Sequence, residues 1–537
     1  MILFRFKRFV SFLLALLFSG GMLISDSVTL IPAEAEETNE YIVRVGMYVD
    51  TTTDCRMFSS KTYSAEGFVI GYSDGEHFVG SFTIPNDTIY ILPQVNANFD
   101  ASTEKCVEGE GNVGSYSLFV SKHSTFTQAS FKAKTIGGFV AIVSGGFEVR
   151  KNAACSASEV GSGRVVSPKE NGLTILDADG NILLTFENTA KKFALKGKNG
   201  VTEFPMIHRS GNINTFGYWG FFEYGISDGL LSMVNCIGLE DYTKCIMANE
   251  IGVNFSVETR KAFSILARTQ PLGRKHKKDG FDVCCNSACC QVYQGLKRMG
   301  EENNHIVDST RGMICTFEGS PITVLYHGSN GGASCSSVAA WGGDEVPYLK
   351  SVFLDEEGES DLWELSFTKE EFAEYIASRS KITGLSGDAL SMTVLEKDPY
   401  GSDYITVLSL TDDEGNYIEL RNSEFIRSAC GFKSGNFTVE YSTDMPVVTA
   451  DGSVKTQRVT GMLTADGFKP FSGFDDVYAT ADGKTVVAPD RITIKGIGSG
   501  HGVGFAALGS EKLANDGYSH KYILEFFFEG TKLSKLY

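Results

Sequence analysis

Residues 231–242, with the sequence LSMVNCIGLEDY, decide the fold. Residues 231–235 predict a β-strand, and residues 239–248 predict a helix that follows it directly. The chain before this point consists of short apolar runs and turns. The strand and helix therefore mark a change to a mixed α/β region.

A second helix is expected soon after Glu250. Ser256 is a suitable N-cap residue, and residues 262–267 continue the helix. Pro271 should end it, because proline cannot continue the ladder of helical hydrogen bonds. Glu250 therefore stands between two predicted helices.

Strands are predicted on both sides of these helices. Between residues 36 and 200, short apolar runs alternate with turns rich in Asp and Gly, which predicts a strand-rich accessory region. Beyond residue 310, strands are predicted at 322–326, 404–408, 437–441 and 491–495, and the last leads into a Gly-rich turn and a final helix. We predict an α+β protein with a strand-rich region over 36–200 and a catalytic domain of mixed α/β structure with a few short helices over 201–537.

The composition restricts the classes of function. The length of 537 residues allows two to four domains. A formal net charge of -18 argues against a nucleic-acid partner, because phosphate binding needs clustered Lys and Arg. The basic run RKHKK at 274–278 is interpreted as a solvated loop.

The N-terminus predicts export. Three basic residues precede the hydrophobic stretch 9–18, and the sequence AEA at 33–35 fits a cleavage site with small residues. Residues 1–35 are therefore predicted to be a signal peptide or an uncleaved N-terminal anchor. An uncleaved segment of this kind is the only membrane contact that we expect.

Twelve cysteines in an exported chain favour disulfide bonds. The six that invite pairing across the sequence are Cys55, Cys106, Cys155, Cys236, Cys245 and Cys430. The cluster CCNSACC at 284–290 has a different pattern and is considered with the family resemblance below.

Two turns combine a histidine with glycines. The turn at 496–504, GIGSGHGVG, fits neither the dinucleotide-binding pattern nor a phosphate loop, so no nucleotide is expected. The turn contains His501, and its glycines allow a neutral polar ligand to approach the main chain closely. Its alternative interpretation is a tight structural turn.

The second such turn follows a predicted strand end at Tyr326 and His327. Ser329 and Asn330 can hydrogen-bond sugar hydroxyls, and Tyr326 can stack on the face of a pyranose ring. A single histidine after a strand is more often structural. Two such turns in one domain favour a binding site.

Glu250 is the candidate general acid. It lies among Ile246, Met247, Ile251 and Phe255 in the sequence. Apolar surroundings disfavour the charged form of a carboxyl group and raise its pKa, as a general acid requires near neutral pH.

Together these segments resemble the stage II sporulation protein D family. The resemblance covers roughly residue 200 to the end, and its motifs occur in the family's order. They are LSMVNCIGLEDY at 231–242, Glu250-Ile251, AFSILART at 262–269, the cysteine segment ending in CQVY at 290–293, STRG at 309–312, Tyr326-His327, Gly331-Gly332, Trp341-Gly342, PYL at 347–349 and GHGVG at 500–504.

The resemblance implies a lytic transglycosylase that cleaves peptidoglycan glycan strands, with a role in septal wall remodelling during sporulation. Glu250 takes the family's catalytic position, and Arg268 becomes a candidate for substrate binding. Such an enzyme needs a single carboxyl group, whereas a retaining hydrolase needs a second one about 5 Å away. Glu240 and Asp241 are near in sequence, but they are better interpreted as charges on a helix face.

The resemblance also implies a zinc site in the cysteine cluster. Counting back from Cys290-Gln291, Cys285 and Cys290 match the family's cysteines, and Cys289 replaces its histidine. Cys284 is an additional thiol. Thiolates bind zinc well, so we expect Cys285, Cys289 and Cys290 as ligands, with disulfide formation as the open alternative. A second departure is Ala507, where the family usually has Gln.

Two other classes of function stay open. The chain could be a non-catalytic glycan-binding protein that enhances a cell-wall amidase, as relatives are thought to be, or an adhesive wall protein. The expected partners are glycan strands and, in the first of these cases, an amidase. The expected location is the cell wall outside the cytoplasm.

Overall fold

The structure is a computed structural model. It describes residues 40–47, 56–57, 60–95, 97–100, 102–103, 105–108, 113–114, 116–152, 164–187, 190–207, 213–287, 289–354, 361–448, 451–464, 466–479 and 486–537. The predicted signal peptide or anchor at 1–35 lies outside these residues, as do Cys55, Cys155 and the side chain of Cys106. Helices make up 21% and strands 42% of the structure, and the N-terminal region is rich in strands, which confirms the α+β prediction.

The chain divides into two compact units. Arg56–Met206 and Gly220–Met233 form unit 1; Thr38–Cys55, Ile207–Trp219 and Val234–Tyr537 form unit 2. The chain therefore returns to unit 1 at Gly220 and enters unit 2 again at Val234.

Unit 1 contains one helix, α1 (Phe126–Ile136), among the residues described. Thr125 caps its start, and Gly137 ends it in the left-handed conformation. The strands of this region are Arg56–Met57, Ser60–Tyr63, Phe68–Ser73, Phe78–Ile84, Thr88–Pro93, Ala97–Asp100, Lys105–Glu108, Ser117–His123, Phe139–Val143, Gly146–Asn152, Val165–Val166, Leu173–Asp177, Ile182–Phe186, Lys192–Gly197, Thr202–Ile207 and Phe221–Ser227.

The helices of unit 2 carry the site. They are α2 (Leu239–Glu250), α3 (Val257–Thr269), α4 (Glu301–Ser309), α5 (Ser337–Trp341), α6 (Lys369–Ala377), α7 (Ser423–Cys430), α8 (Ala507–Asn515) and α9 (His520–Phe527), with 3-10 turns at Gln270–Gly273 and Lys277–Asp279.

The strands of unit 2 belong to sheets of different sizes, and most lie in sheets of two to four strands. They are Ile42–Met47, Ile213–Tyr218, Val283–Cys284, Met313–Phe317, Ser320–Pro321, Tyr326–His327, Leu362–Thr368, Ala389–Lys397, Ile405–Asp412, Tyr417–Arg421, Phe437–Val448, Val454–Val459, Gly461–Thr464, Gly467–Pro470, Tyr478–Ala479, Val486–Val487, Arg491–Ile497, Phe505–Ala506 and Lys532–Lys535. The strand Leu230–Gly238 contains the passage from unit 1 to unit 2.

The strand and two helices predicted around Glu250 are confirmed. The strand Leu230–Gly238 passes directly into α2, and Ser256 caps α3 by accepting a hydrogen bond from the Thr259 amide. Helix α3 is buried around most of its circumference and packs against α2, α4, α8 and α9. It is therefore the central helix of the region, and Glu250 lies at the end of the helix beside it.

One predicted strand is mostly absent. Residues 322–325 are irregular, and only Tyr326–His327 forms a short strand, which pairs in parallel with Phe505–Ala506. This pairing joins the two histidine–glycine turns, although they are far apart in sequence. Among the described residues, no helix has the length and apolar character needed to span a membrane.

Candidate active site and metal centre

Glu250, the last residue of α2, is held by two hydrogen bonds. The Tyr326 hydroxyl donates to its Oε1 atom at 2.7 Å, and the Val292 main-chain amide donates to the same atom at 2.7 Å. Among the described residues, both hydrogen bonds to this carboxyl group end on Oε1, so Oε2 is the oxygen that can carry a transferable proton.

Tyr326 is a neutral donor in this pair. Burial, followed by the nearby Glu250 carboxyl group, holds the pKa of the Tyr326 hydroxyl well above its ordinary value. Its ring packs edge-on against Phe263 of α3 at 5.0 Å between centroids. The sequence predicted that Tyr326 stacks on a sugar, but the structure places its hydroxyl on the candidate acid.

The two histidines form a second group. Their ring centroids are 5.4 Å apart. Because successive side chains of a strand point to opposite sides, His327 and Tyr326 lie on opposite faces of their strand. The prediction that both histidines share one cleft with Glu250 is therefore not supported by direct contact. The described hydrogen bonds join Glu250 to Tyr326 and His327 to the turn that carries His501.

Val503 fixes the tautomers of both imidazoles. Its carbonyl accepts a hydrogen bond from His327 Nδ1 at 3.2 Å, and its amide donates to His501 Nδ1 at 3.0 Å. Burial, and then the neighbouring His501, lower the pKa of His327 to about 3; burial is also the main cause that lowers the pKa of His501. Both rings are therefore neutral near pH 7.

Ser329 and Asn330 lie in the interior. Ser329 donates a short hydrogen bond to Asp361, and the side chains of Ser329 and Asn330 are both fully buried. The amide atoms of Asn330 have no hydrogen-bond partner among the described residues. Their predicted contact with sugar hydroxyls is not possible in this conformation, because neither side chain reaches the surface.

Arg268 is a structural residue, and its predicted role in substrate binding needs correction. It is fully buried, and it forms two hydrogen bonds to Glu240 at 2.9 and 2.7 Å. Further donors reach the carbonyls of Val307 and Met313. Burial raises the pKa of Glu240, but Arg268, together with hydrogen bonds from Tyr537 and the Gly312 amide, keeps the pKa below its ordinary value. The motif AFSILART covers too few residues to show whether its arginine is buried or exposed.

Replacing Arg268 with Met should destabilise unit 2 by about 3–5 kcal/mol, because the buried Glu240 carboxylate would lose its counter-charge. Urea unfolding would measure the change. The double variant Arg268→Met/Glu240→Leu, which removes both charges, should recover part of it. A single variant with unchanged stability and lost glycan binding would instead restore the substrate-binding role.

Four potential metal ligands converge beside the site. His276, Cys284, Cys289 and Cys290 each offer one ligand atom, and all four atoms lie within 4.8 Å of one another. The Cys284 and Cys290 sulfurs are 3.7 Å apart, and Cys289 Sγ lies 3.3 Å from His276 Nε2. Tetrahedral zinc with Zn–S bonds of about 2.3 Å places two sulfurs roughly 3.8 Å apart. The ligand set therefore fits zinc in both chemistry and spacing.

A carboxylate lies within hydrogen-bonding distance of the histidine of this cluster. Asp279 Oδ2 lies 3.1 Å from His276 Nδ1, which leaves Nε2 directed at the cysteines. Metal-binding histidines commonly have such a partner, because it fixes the tautomer and the ring orientation. His276 lies in the run RKHKK, which was interpreted as a solvated loop. Its ligand character could have been suspected only from its closeness to the cysteine cluster.

The predicted ligand Cys285 needs correction. The strand Val283–Cys284 leads into it, and adjacent residues of an extended chain point to opposite sides. Cys284 therefore faces the cluster, while Cys285 lies near Tyr218 and Tyr293. Counting back from Cys290 therefore selected Cys285 in place of its neighbour Cys284. The other two predicted ligands, Cys289 and Cys290, do belong to the cluster.

The expected disulfides are not found in the described part of the chain. Cys245, Cys315, Cys335 and Cys430 are free and buried, and Cys236 Sγ accepts a hydrogen bond from Arg44. A buried thiol behaves as a small apolar side chain.

The metal cluster is joined to Glu250 through a short segment of chain. Cys290 is followed by Gln291, whose Oε1 accepts a hydrogen bond from Tyr242 of α2 at 3.0 Å. Val292, the next residue, donates its amide to Glu250. Val292 could not be identified from the sequence, because a hydrogen bond donated by the main chain does not depend on the type of side chain.

Comparison with known proteins agrees with this organisation. Residues 227–317, which contain α2, α3 and the cysteine cluster, match the family described as SpoIID, stage II sporulation protein. Over this segment the chain is similar to the stage II sporulation protein D/amidase enhancer family.

Individual members of this family are similar over about half of the chain. The chain is 26% identical over 310 residues to the amidase enhancer of Bacillus subtilis (strain 168), which covers 54% of this chain and 40% of that protein. It is 23% identical over 323 residues to stage II sporulation protein D of Bacillus amyloliquefaciens, covering 56% of this chain and 76% of that protein. The protein of the same name in Bacillus subtilis (strain 168) is 21% identical over 320 residues, with the same two coverages. These names support a role related to the cell wall.

Proposed function

We propose that this protein is a lytic transglycosylase that cleaves the bond between N-acetylmuramic acid and N-acetylglucosamine in peptidoglycan glycan strands. The observation that carries the proposal is the carboxyl group of Glu250, whose Oε1 atom is held by two donors while Oε2 is left for proton transfer. The similarity to this family supports the choice of substrate.

The arrangement of carboxyl groups supports a mechanism with one acid. Glu240 and Asp241 lie nine or ten residues before Glu250 on the same helix, which separates them from it by about 13–15 Å of helix rise. A retaining hydrolase needs two carboxyl groups about 5 Å apart. Glu240 is also engaged with Arg268, so neither residue is placed to act as the nucleophile.

In the proposed reaction, Glu250 gives its proton from Oε2 to the oxygen that leaves with N-acetylglucosamine. The muramic 6-hydroxyl then attacks C1, and its proton passes to the Glu250 carboxylate. The bond from C1 to the leaving oxygen breaks and a bond from C1 to the 6-oxygen forms, which gives an internal acetal, so no water is consumed. The products are a strand with an anhydromuramic end and a strand with a new N-acetylglucosamine hydroxyl.

His276, Cys284, Cys289 and Cys290 are proposed to hold a structural zinc ion. When bound, zinc would contribute charge and a fixed tetrahedral geometry to this loop. The residues themselves position the chain that leads to Val292, whose amide holds Glu250. The loop therefore orients the acid without contacting the substrate.

We further propose that the protein acts outside the cytoplasm, in the cell wall, with a sporulation-related role. The family names and the N-terminal sequence support this location. A cell-wall amidase is a second candidate partner, because one relative is named an amidase enhancer.

Incubation of the purified chain with insoluble glycan strands tests the activity. We expect soluble fragments to appear without any added enzyme. If fragments appear only when a cell-wall amidase is present, and the chain alone only binds, the protein is an enhancer. Binding without an effect on the amidase would indicate an adhesive wall protein.

Replacing Tyr326 with Phe should lower the cleavage rate about 2–10-fold, because the hydrogen bond that orients Glu250 is lost while the ring is kept. Binding of glycan strands should not change. Tyr326→Leu is the comparison: if the ring instead stacks on a sugar, this variant alone should lose binding and the Phe variant should cleave normally.

A further inference from the structure

Three aromatic rings form a row from the surface to the interior of unit 2. The indole of Trp341 is 43% exposed, and its ring centroid lies 5.4 Å from that of His501. His501 lies in turn 5.4 Å from His327, which is buried. The tryptophan is thus the exposed end of a packed group, and it is not an isolated apolar side chain on the surface.

The position of Trp341 is fixed by its surroundings. Ser336 caps α5 by accepting a hydrogen bond from the Ala339 amide at 3.1 Å, and its hydroxyl also bonds to the buried Asp398. The amide of Cys335, just before this cap, donates to the Gly502 carbonyl at 2.7 Å. Trp341 and His501 are therefore carried by directly bonded segments, and little ordering would be needed on binding.

The imidazoles behind the indole are uncharged. Burial is the main cause that lowers the pKa of both His327 and His501. His327 donates from Nδ1, so its Nε2 atom is an acceptor, and this atom has no hydrogen-bond partner among the described residues. Because both rings are neutral, they offer an anion no positive charge beneath the indole.

We propose that Trp341 is a stacking surface for a pyranose ring of the glycan strand, at a subsite separate from the bond that is cleaved. The C–H face of a pyranose is apolar and packs on the electron-rich face of an indole. Hydrogen bonds connect the histidines beneath this surface to the acid: the His501 ring bonds to the main chain of Tyr326, and the Tyr326 hydroxyl donates to Glu250. This inference rests on the proposed function and adds a binding residue to it.

Binding of a soluble N-acetylglucosamine oligomer to the full chain carrying Glu250→Gln tests the proposal, because binding is then measured without cleavage. Adding Trp341→Ala should raise Kd about tenfold, as for a buried aromatic anchor of an interface. Trp341→Tyr should restore most of the affinity. Tyr522→Ala removes an aromatic side chain of equal exposure, 43%, on α9 and should leave Kd unchanged.

An unchanged Kd for Trp341→Ala would overturn the proposal. If that variant unfolds, the tryptophan fluorescence of the parent decides: emission should shift to shorter wavelength as the oligomer covers the indole, and no shift contradicts the proposal. If the proposed function fails but this inference holds, the oligomer still binds through Trp341, while the wild-type chain releases no anhydromuramic products.

Discussion

Glu250→Gln should lower the rate of glycan cleavage by about 10²–10⁴-fold, which is the usual contribution of general acid catalysis. The amide keeps the size of the acid and can still accept hydrogen bonds from Tyr326 and Val292 on its oxygen. It has no proton to give to the leaving oxygen. Folding and binding of glycan strands should therefore remain near the wild-type level, and release of soluble fragments measures the loss.

Asp241→Asn is the matched control. It also replaces a half-buried carboxylate of α2 by its amide, but at the far end of the helix. Its cleavage rate should stay close to wild type. If the Gln variant at 250 cleaves normally and the Asn variant at 241 does not, the role that we assign to Glu250 must be withdrawn.

Cys284→Ser should lower zinc affinity by more than about 100-fold, because it removes a direct ligand, and changes to outer-shell partners alone cost about 10–100-fold. Cys285→Ser removes the adjacent thiol, which lies outside the cluster. Its zinc affinity should be unchanged. Titration of the reduced proteins with zinc, followed by a competing chelator, measures both affinities.

Equal loss of zinc in both variants would show that the ligand set differs from the one in the structure. Retention of zinc by both would show that the cluster does not bind it. If mass spectrometry of the unreduced protein finds Cys284 and Cys290 joined, the disulfide alternative is correct.

The parts of the fold that follow local rules could be predicted from the sequence. Ser256 and Pro271 marked the ends of α3 because capping and the missing proline amide act within a few residues. The strand before α2 was equally local. The prediction of a strand at 322–326 was mostly wrong. Only Tyr326 and His327 form a strand there, and it pairs with Phe505–Ala506.

The site depended on contacts that the sequence does not encode locally. Glu250 and Tyr326 were each singled out, but their mutual hydrogen bond spans 76 positions. Arg268 looked like a functional cation because its partner, Glu240, lies on another helix. The choice between Cys284 and Cys285 depended on which side of the chain each thiol occupies, and counting residues could not decide it.

The identity of the cleavage product tests the central claim most directly. Purified glycan strands should be digested with the wild-type chain in water enriched in heavy oxygen, and the fragments weighed by mass spectrometry. We expect muramic ends in the anhydro form, lighter by one water than a hydrolysed end and free of heavy oxygen, because the 6-hydroxyl attacks C1 within the strand. Fragments with reducing ends that carry heavy oxygen would contradict the account, and so would the absence of cleavage.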